Sequence, residues 1–168
     1  MEPNGWMTRS FAHHATRRLA VPAAQAHAAI EDLGCWNAWS PFYAMDPEAV
    51  TTVSPRTAGV GAHYTWDGRR SGRGTLTVQD STVPSTVVMR VAFLAPIASE
   101  SIAQFDVVAH DGHSCSVTWT MKGQRPLWLA LLAWATRMDR QMVGHFLEGL
   151  TALERHILSP ADGSRSSG

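Results

Sequence analysis

The hydrophobic period of this chain changes along its length, and the changes mark out its elements. From about Val50 to Lys122 bulky apolar residues alternate with polar ones. Ala62, Tyr64 and Trp66 stand against His63 and Thr65, and Leu76 and Val78 against Thr75, Thr77 and Gln79. Val87, Met89, Val91 and Phe93 lie opposite Arg90, while Ala103, Phe105 and Val107 lie opposite Gln104 and Asp106. Cys115, Val117, Trp119 and Met121 alternate with Ser116, Thr118, Thr120 and Lys122. A period of two sends the two sets to opposite faces, so this stretch predicts half-buried strands with one oily face. Asp67-Gly68 and Asp111-Gly112 fall between alternating segments, where Asp-Gly supplies the positive φ of a tight hairpin, and the sheet is predicted to be mainly antiparallel. Gly72 and Gly74 predict a bulge or bend that curves it.

Upstream, Thr16 to Val21 reads as a first strand. Pro22 then opens PAAQAHAAIEDLG, where proline suits the first helical turn and Gly34 the end. In CWNAWSPF, Trp36 and Trp39 share a face of a second short helix, which Pro41 is expected to stop. Downstream, a long helix is predicted from about Pro126 to Leu158. Trp128, Leu132, Ala135, Met142, Phe146, Gly149 and Leu153 recur along it in steps of three and four. An antiparallel sheet with one oily face needs a cover, and this is the element long enough to provide it. Residues 1–10 and 159–168 lack periodicity and read as disordered tails around a single domain over 11–158.

Within RPLWLALLAWATRMDRQMVGHF no residue from Leu127 to Ala135 is polar. The run is about half of the roughly 20 residues a spanning helix needs, and Arg137, Asp139 and Arg140 follow at once, so stable membrane insertion is not expected. Lysine plus arginine equal aspartate plus glutamate at 14 each, giving a formal net charge of zero. No broad field then draws nucleic acid, which is not expected as a partner. Cys35 and Cys115 match no disulfide or zinc spacing, and no apolar h-region follows the N-terminal charge, so a reducing, cytoplasmic setting is expected.

Eight histidines raise the question of a metal. His13 and His14 lie near the tail, His110 and His113 flank a turn, and no His/carboxylate pair has ligand spacing on a helix, so no metal is expected. His63 falls on the polar face and His145 beside Phe146, which makes neither a strong base. Arg69, Arg70 and Arg73 read as a solvated turn. Nucleophile-elbow and phosphate-loop motifs are absent.

The order of elements, together with WNAWSPF, GVGAHYTWDG, SVTWTMKG and MVGHFLEGLTALER, resembles the START-like (SRPBCC) superfamily of polyketide cyclase/dehydrase and lipid-transport proteins. The resemblance runs from about Thr16 to Leu158. It implies an α+β helix-grip fold: a curved antiparallel sheet of about seven strands around a long C-terminal helix, with two short helices after the first strand. It also implies an apolar cavity between sheet and helix, a hydrophobic small-molecule ligand (aromatic, polyketide-like or lipid) and no cofactor. Trp36, Tyr64, Trp66, Met89, Phe93, Phe105, Trp119, Met121, Met138, Met142 and Phe146 are the candidate lining. Trp39 reads as a residue that pins the second helix to the sheet.

Three functions fit. The first is a carrier of that ligand. The second is a cyclase- or dehydrase-type enzyme in the same cavity. There Asp139, expected to face the sheet with a raised pKa, would move protons, and Tyr64 or an indole would polarise a carbonyl. Against this stands a structural reading in which Asp139 pairs with Arg137, Arg140 or another basic group. The third function is an interaction protein using Leu127 to Ala135 as a homodimer contact, a membrane touch or a flap over the cavity mouth.

Overall fold

Backbone pairing follows the alternation closely. The computed structural model describes residues 8–159. Its seven strands are β1 (Thr8–Leu19), β2 (Val50–Val53), β3 (His63–Gly68), β4 (Gly72–Thr82), β5 (Thr86–Ala95), β6 (Ser99–Ala109) and β7 (Cys115–Pro126). They form one antiparallel sheet in the order β1-β7-β6-β5-β4-β3-β2. Val87, Met89, Val91, Ala103, Phe105, Val107, Cys115, Val117, Trp119 and Met121 are all buried on its concave side. Register shifts at Arg73/Gly74 and Val78/Asp80 bend β4 against β5, so the bulge expected near Gly72 and Gly74 is present.

Between β1 and β2 lie α1 (Ala23–Glu31), a single 3-10 turn at Leu33–Cys35, α2 (Trp36–Trp39) and α3 (Pro41–Met45). Pro41 does not stop this segment; it opens α3, where its missing N–H costs nothing and Ser40 Oγ accepts from the Tyr43 amide at 3.4 Å. After β7 come α4 (Leu127–Ala135) and α5 (Met138–Leu158). The architecture is the helix-grip fold.

Several expectations are corrected. β1 begins at Thr8 rather than Thr16 and pairs with β7 from Thr8↔Pro126 to Leu19↔Cys115, so residues 8–10 belong to the sheet and not to a tail. Residues 1–7 and 160–168 of the two expected tails lie outside the described residues. The β3–β4 turn takes its positive φ at Gly72 (69°) rather than at Gly68. A Cβ at Gly72 would fall 2.2 Å from the Ala95 carbonyl oxygen. The β6–β7 turn is shaped by Asp111, whose Oδ1 accepts from the His113 amide at 2.7 Å and Ser114 Oγ at 3.1 Å.

The single closing helix is two helices. Arg137 adopts a left-handed conformation (φ 55°), which costs an L-residue about 1 kcal/mol and ends the α4 register before α5 starts. Continuity of the apolar stripe therefore holds only within α5, where Phe146, Gly149, Leu150 and Leu153 are buried. In α4 Ala130 is buried, whereas Leu131 and Leu132 are 63% and 48% exposed. The side chains of Leu127, Trp128, Ala133 and Trp134 lie outside the described set.

Gly149 sets how closely α5 approaches the sheet. A Cβ there would come within 2.9 Å of both Pro41 Cδ and Trp119 Cζ3, a rigid ring and a fully buried indole. Alanine gains about 1 kcal/mol of helix propensity over glycine, and overpacking costs about 1–3 kcal/mol. We expect Gly149→Ala to lower stability by about 1 kcal/mol in urea unfolding. An unchanged or raised midpoint would show that the helix is not held by this approach.

Candidate functional site

From Phe146 onward α5 is packed closely onto the sheet. Its packing is aromatic: Trp119 stacks on Phe146 with centroids 4.5 Å apart and planes at 16°, and Trp39 meets Trp119 and Phe105 edge-on at 5.9 and 6.0 Å. This plug fills one end of the space between sheet and helix. At the other end Met138 and Met142, on the first turns of α5, border a cavity of about 670 Å³.

Trp36, Tyr64, Trp66, Phe93, Trp119, Met121, Met138 and Met142 all line that cavity, as the sequence led one to expect. Met89, Phe105 and Phe146 do not; each is fully buried in the core outside the lining. Alternation along a strand selects the face but not the depth: Met89 and Phe105 share the face but lie in the packed core, and Phe105 and Phe146 belong to the plug itself. Leu76, Val91, Phe42 and Leu129 complete the apolar wall, with Met45, Pro96 and Ile97 also along it. Trp39 is 2% exposed and forms part of the plug, in line with the pinning role expected of it.

Polar groups converge on one corner. Asp139 does not sit unpaired against the sheet: its two oxygens accept from Arg125 Nη1 and Nη2 at 3.1 and 3.2 Å, and its side chain is 42% exposed. Arg125 hydrogen bonding, helped by the guanidinium charges of Arg125 and Arg9, outweighs burial and holds the carboxyl below its ordinary range, opposite to the rise expected. The structural reading of this residue identified the right kind of partner but not which arginine. His13 Nε2 lies 3.2 Å from Asp139 Oδ1, and Phe11 stacks on the imidazole at 5.5 Å while the Arg125 guanidinium sits 5.2 Å over the Phe11 ring. His13, Arg125 and Asp139 all line the cavity. His13 was missed because it was read as lying near the tail, ahead of a first strand expected only from Thr16; the signal is the Phe11, His13, Ala15, Leu19 spacing of two and four along β1.

Tyr64 is 3% exposed, and burial pushes its phenol up to about 12. Its hydroxyl donates to Asn37 Oδ1 at 2.7 Å, and Asn37 Nδ2 donates to Thr51 Oγ1 at 3.0 Å. The phenolic proton is thus spent on tying α2 to the sheet edge. Trp66 Nε1 donates to the Ser71 carbonyl at 3.2 Å, and Trp119 Nε1 is buried with no partner among the described residues. The Trp66 N–H is thus engaged within the β3–β4 turn, whereas the Trp119 N–H is left unpaired on a residue that lines the cavity.

The rim has its own staple. Asp46 Oδ2 accepts from the Arg70 amide at 3.0 Å, the Ser71 amide at 2.9 Å and Ser71 Oγ at 2.7 Å, joining the end of α3 to the β3–β4 turn. Those bonds, Ser71 first, hold its carboxyl below the ordinary value. Arg70 is therefore not only a solvated turn residue but part of the cavity border. Among the described residues no group of three or more His, Cys, Asp or Glu side chains is placed to hold a metal ion. No described helix is long and apolar enough to cross a membrane.

No protein-family model and no curated protein matches the chain. Among solved structures it is similar to truncated norcoclaurine synthase from Thalictrum flavum, at 11% identity and a TM-score of 0.71, over 95% of this chain and 100% of that one. Norcoclaurine synthase from Thalictrum flavum in complex with dopamine and hydroxybenzaldehyde matches at 12% identity and a TM-score of 0.62, over 92% and 90%. A protein of unknown function from Staphylococcus aureus matches at 9% identity and a TM-score of 0.67, over 91% and 96%. At these identities the likeness is one of fold.

The rim staple gives two linked expectations. Asp46→Ala should speed amide hydrogen exchange at Arg70 and Ser71 by roughly tenfold, since both lose their acceptor. A group with a depressed folded pKa stabilises above its unfolded value and loses that contribution as pH falls through the folded one. The difference in melting temperature between the protein and Asp46→Asn should therefore be full near neutral pH and close as the pH drops below the ordinary carboxylate value of 3.8. A difference that persists in acid would remove the carboxylate from the account.

Proposed function

We propose that the chain binds a flat, mainly apolar aromatic small molecule between the curved sheet and the first turns of α5. The observation that carries this reading is the cavity itself. Its volume of about 670 Å³ falls within the range of small-molecule sites, and its wall is mainly apolar and aromatic, with polar groups at the His13, Arg125 and Asp139 corner and at the Asp46, Arg70 and Ser71 rim. Rings of Trp36, Tyr64, Trp66 and Phe93 offer edges and faces for a planar body, and Met121, Met138 and Met142 offer a wall that adapts to its outline. The polar corner at Arg125, Asp139 and His13 would orient a hydroxyl or carbonyl at one end of such a ligand. The dopamine and hydroxybenzaldehyde bound to a norcoclaurine synthase of the same fold support an aromatic ligand class. A cyclase-type reaction in the same cavity is compatible with the fold but asks more of the polar corner than binding does.

Binding is tested with 2-naphthol as probe, following quenching of tryptophan emission and isothermal titration heat. Met142→Trp adds bulk to the cavity wall, and we expect it to weaken 2-naphthol by about tenfold or more while leaving the far-ultraviolet circular dichroism unchanged. Saturable binding that Met142→Trp leaves intact would move the ligand elsewhere. Absence of any binding by 2-naphthol and by ligands recovered in native mass spectrometry would end the cavity reading.

A further inference from the structure

From the corner where β1, β7 and α5 meet we infer that His13 is a general base acting on the bound aromatic, with Asp139 as its positioning residue. The inference rests on the cavity reading and goes beyond it. Four features of geometry carry it. His13 projects from β1 onto the cavity side, across from Met121 on β7, and its side chain is only 12% exposed. Its Nε2 lies 3.2 Å from Asp139 Oδ1, so the proton of the neutral ring is drawn to Nε2 and the lone pair is left on Nδ1. Nδ1 has no hydrogen-bond partner among the described residues and is not among the buried, sealed-off polar atoms. Phe11 stacked at 5.5 Å limits rotation of the ring.

The groups facing His13 are Asp139 from α5, Arg125 from β7 and Arg9 further along β1, while Lys122 points to the opposite face of the sheet. The described part of α4 carries no titratable side chain at all. Arg125 keeps Asp139 ionised, and the carboxylate offsets the positive charge the imidazole acquires. In the step itself a C–H or O–H bond of the ligand breaks and its proton moves to Nδ1. The electron pair remains on the ligand as an enolate or phenolate. Return of that proton at a second position completes a tautomerisation, and no co-reactant is needed.

A substrate-independent probe is 5-nitrobenzisoxazole, a flat aromatic whose ring C–H proton is taken by a base as the N–O bond breaks, giving a nitrile and a coloured phenolate. The full chain should turn it over with saturation. His13→Gln should lower kcat on the order of 10²-fold, and His13→Ala should be restored in part by added imidazole, which a purely structural loss would not allow. Asp139→Asn should lower kcat with KM unchanged, as expected of a residue that acts through the ring. Quenching by 5-nitrobenzisoxazole measures its binding independently. Binding without turnover, or turnover that His13→Gln and His13→Ala both retain, overturns the base and leaves the cavity reading standing. Failure to bind overturns both.

Discussion

Everything in this molecule is arranged around one contact that is half made. The second half of α5 is drawn onto the sheet until Gly149 touches Trp119 and Pro41, and Phe146 stacks on the same indole at 4.5 Å. Close packing there leaves no room for anything else. The first turns of the helix cannot follow, because the sheet curves and because the chain enters α5 through a left-handed Arg137 rather than along a continuous helix. Space is therefore left between Met138, Met142 and the strands, and its walls are whatever the alternating residues of β3, β4, β5 and β7 put there.

The polar corner follows from the same geometry. β7 continues past Met121 to Pro126, and alternation carries Gly123 and Arg125 onto the concave side. An arginine at the edge of an apolar cavity is costly unless a carboxylate meets it with good geometry, and Asp139 does so with both oxygens. Asp139 can reach because Arg137 ends α4 and aims the first turn of α5 back at the sheet. Acidic residues in a first helical turn are also favoured by the helix dipole, so the site is supported from two directions. The backbone break and the ion pair are best understood as one feature.

Most of the fold was legible because strands write their faces into the sequence. Val87, Met89 and Val91, or Cys115, Val117 and Trp119, leave little choice of side, and the curved sheet with its helical cover follows. Depth along a strand is not written in the same way. Met89 and Phe105 have the same local pattern as Met121 and Phe93, and only the position of the aromatic plug separates core from cavity wall. β1 was harder still. Its inward face holds His13 and Arg17 beside Phe11, Ala15 and Leu19, so its apolar rhythm is interrupted by two polar residues, and its strand character comes chiefly from pairing with β7 across some hundred residues. The direction of Asp139 depended on carrying helical phase from Ala135 through to Met142. One residue in a left-handed conformation resets that phase, and no glycine or proline marks the place.

Fold likeness at 11% identity transports the backbone frame and not the chemistry of the cavity walls. What distinguishes one helix-grip cavity from another is the few polar atoms left facing it. In this chain Tyr64, Trp66 and Asp46 use their polar atoms on α2, the β3–β4 turn and the rim, so they shape the space rather than act in it. His13, Arg125 and Asp139 are different, because each is held by the others and the imidazole keeps a free edge. An apolar chamber with one oriented, paired polar cluster binds by area and discriminates by the corner, since a ligand that buries that edge without a matching polar group would leave it unsatisfied. Selectivity in this protein is therefore expected to reside in the contact between β1, β7 and the first turn of α5, the part of the fold that hydrophobic periodicity describes least.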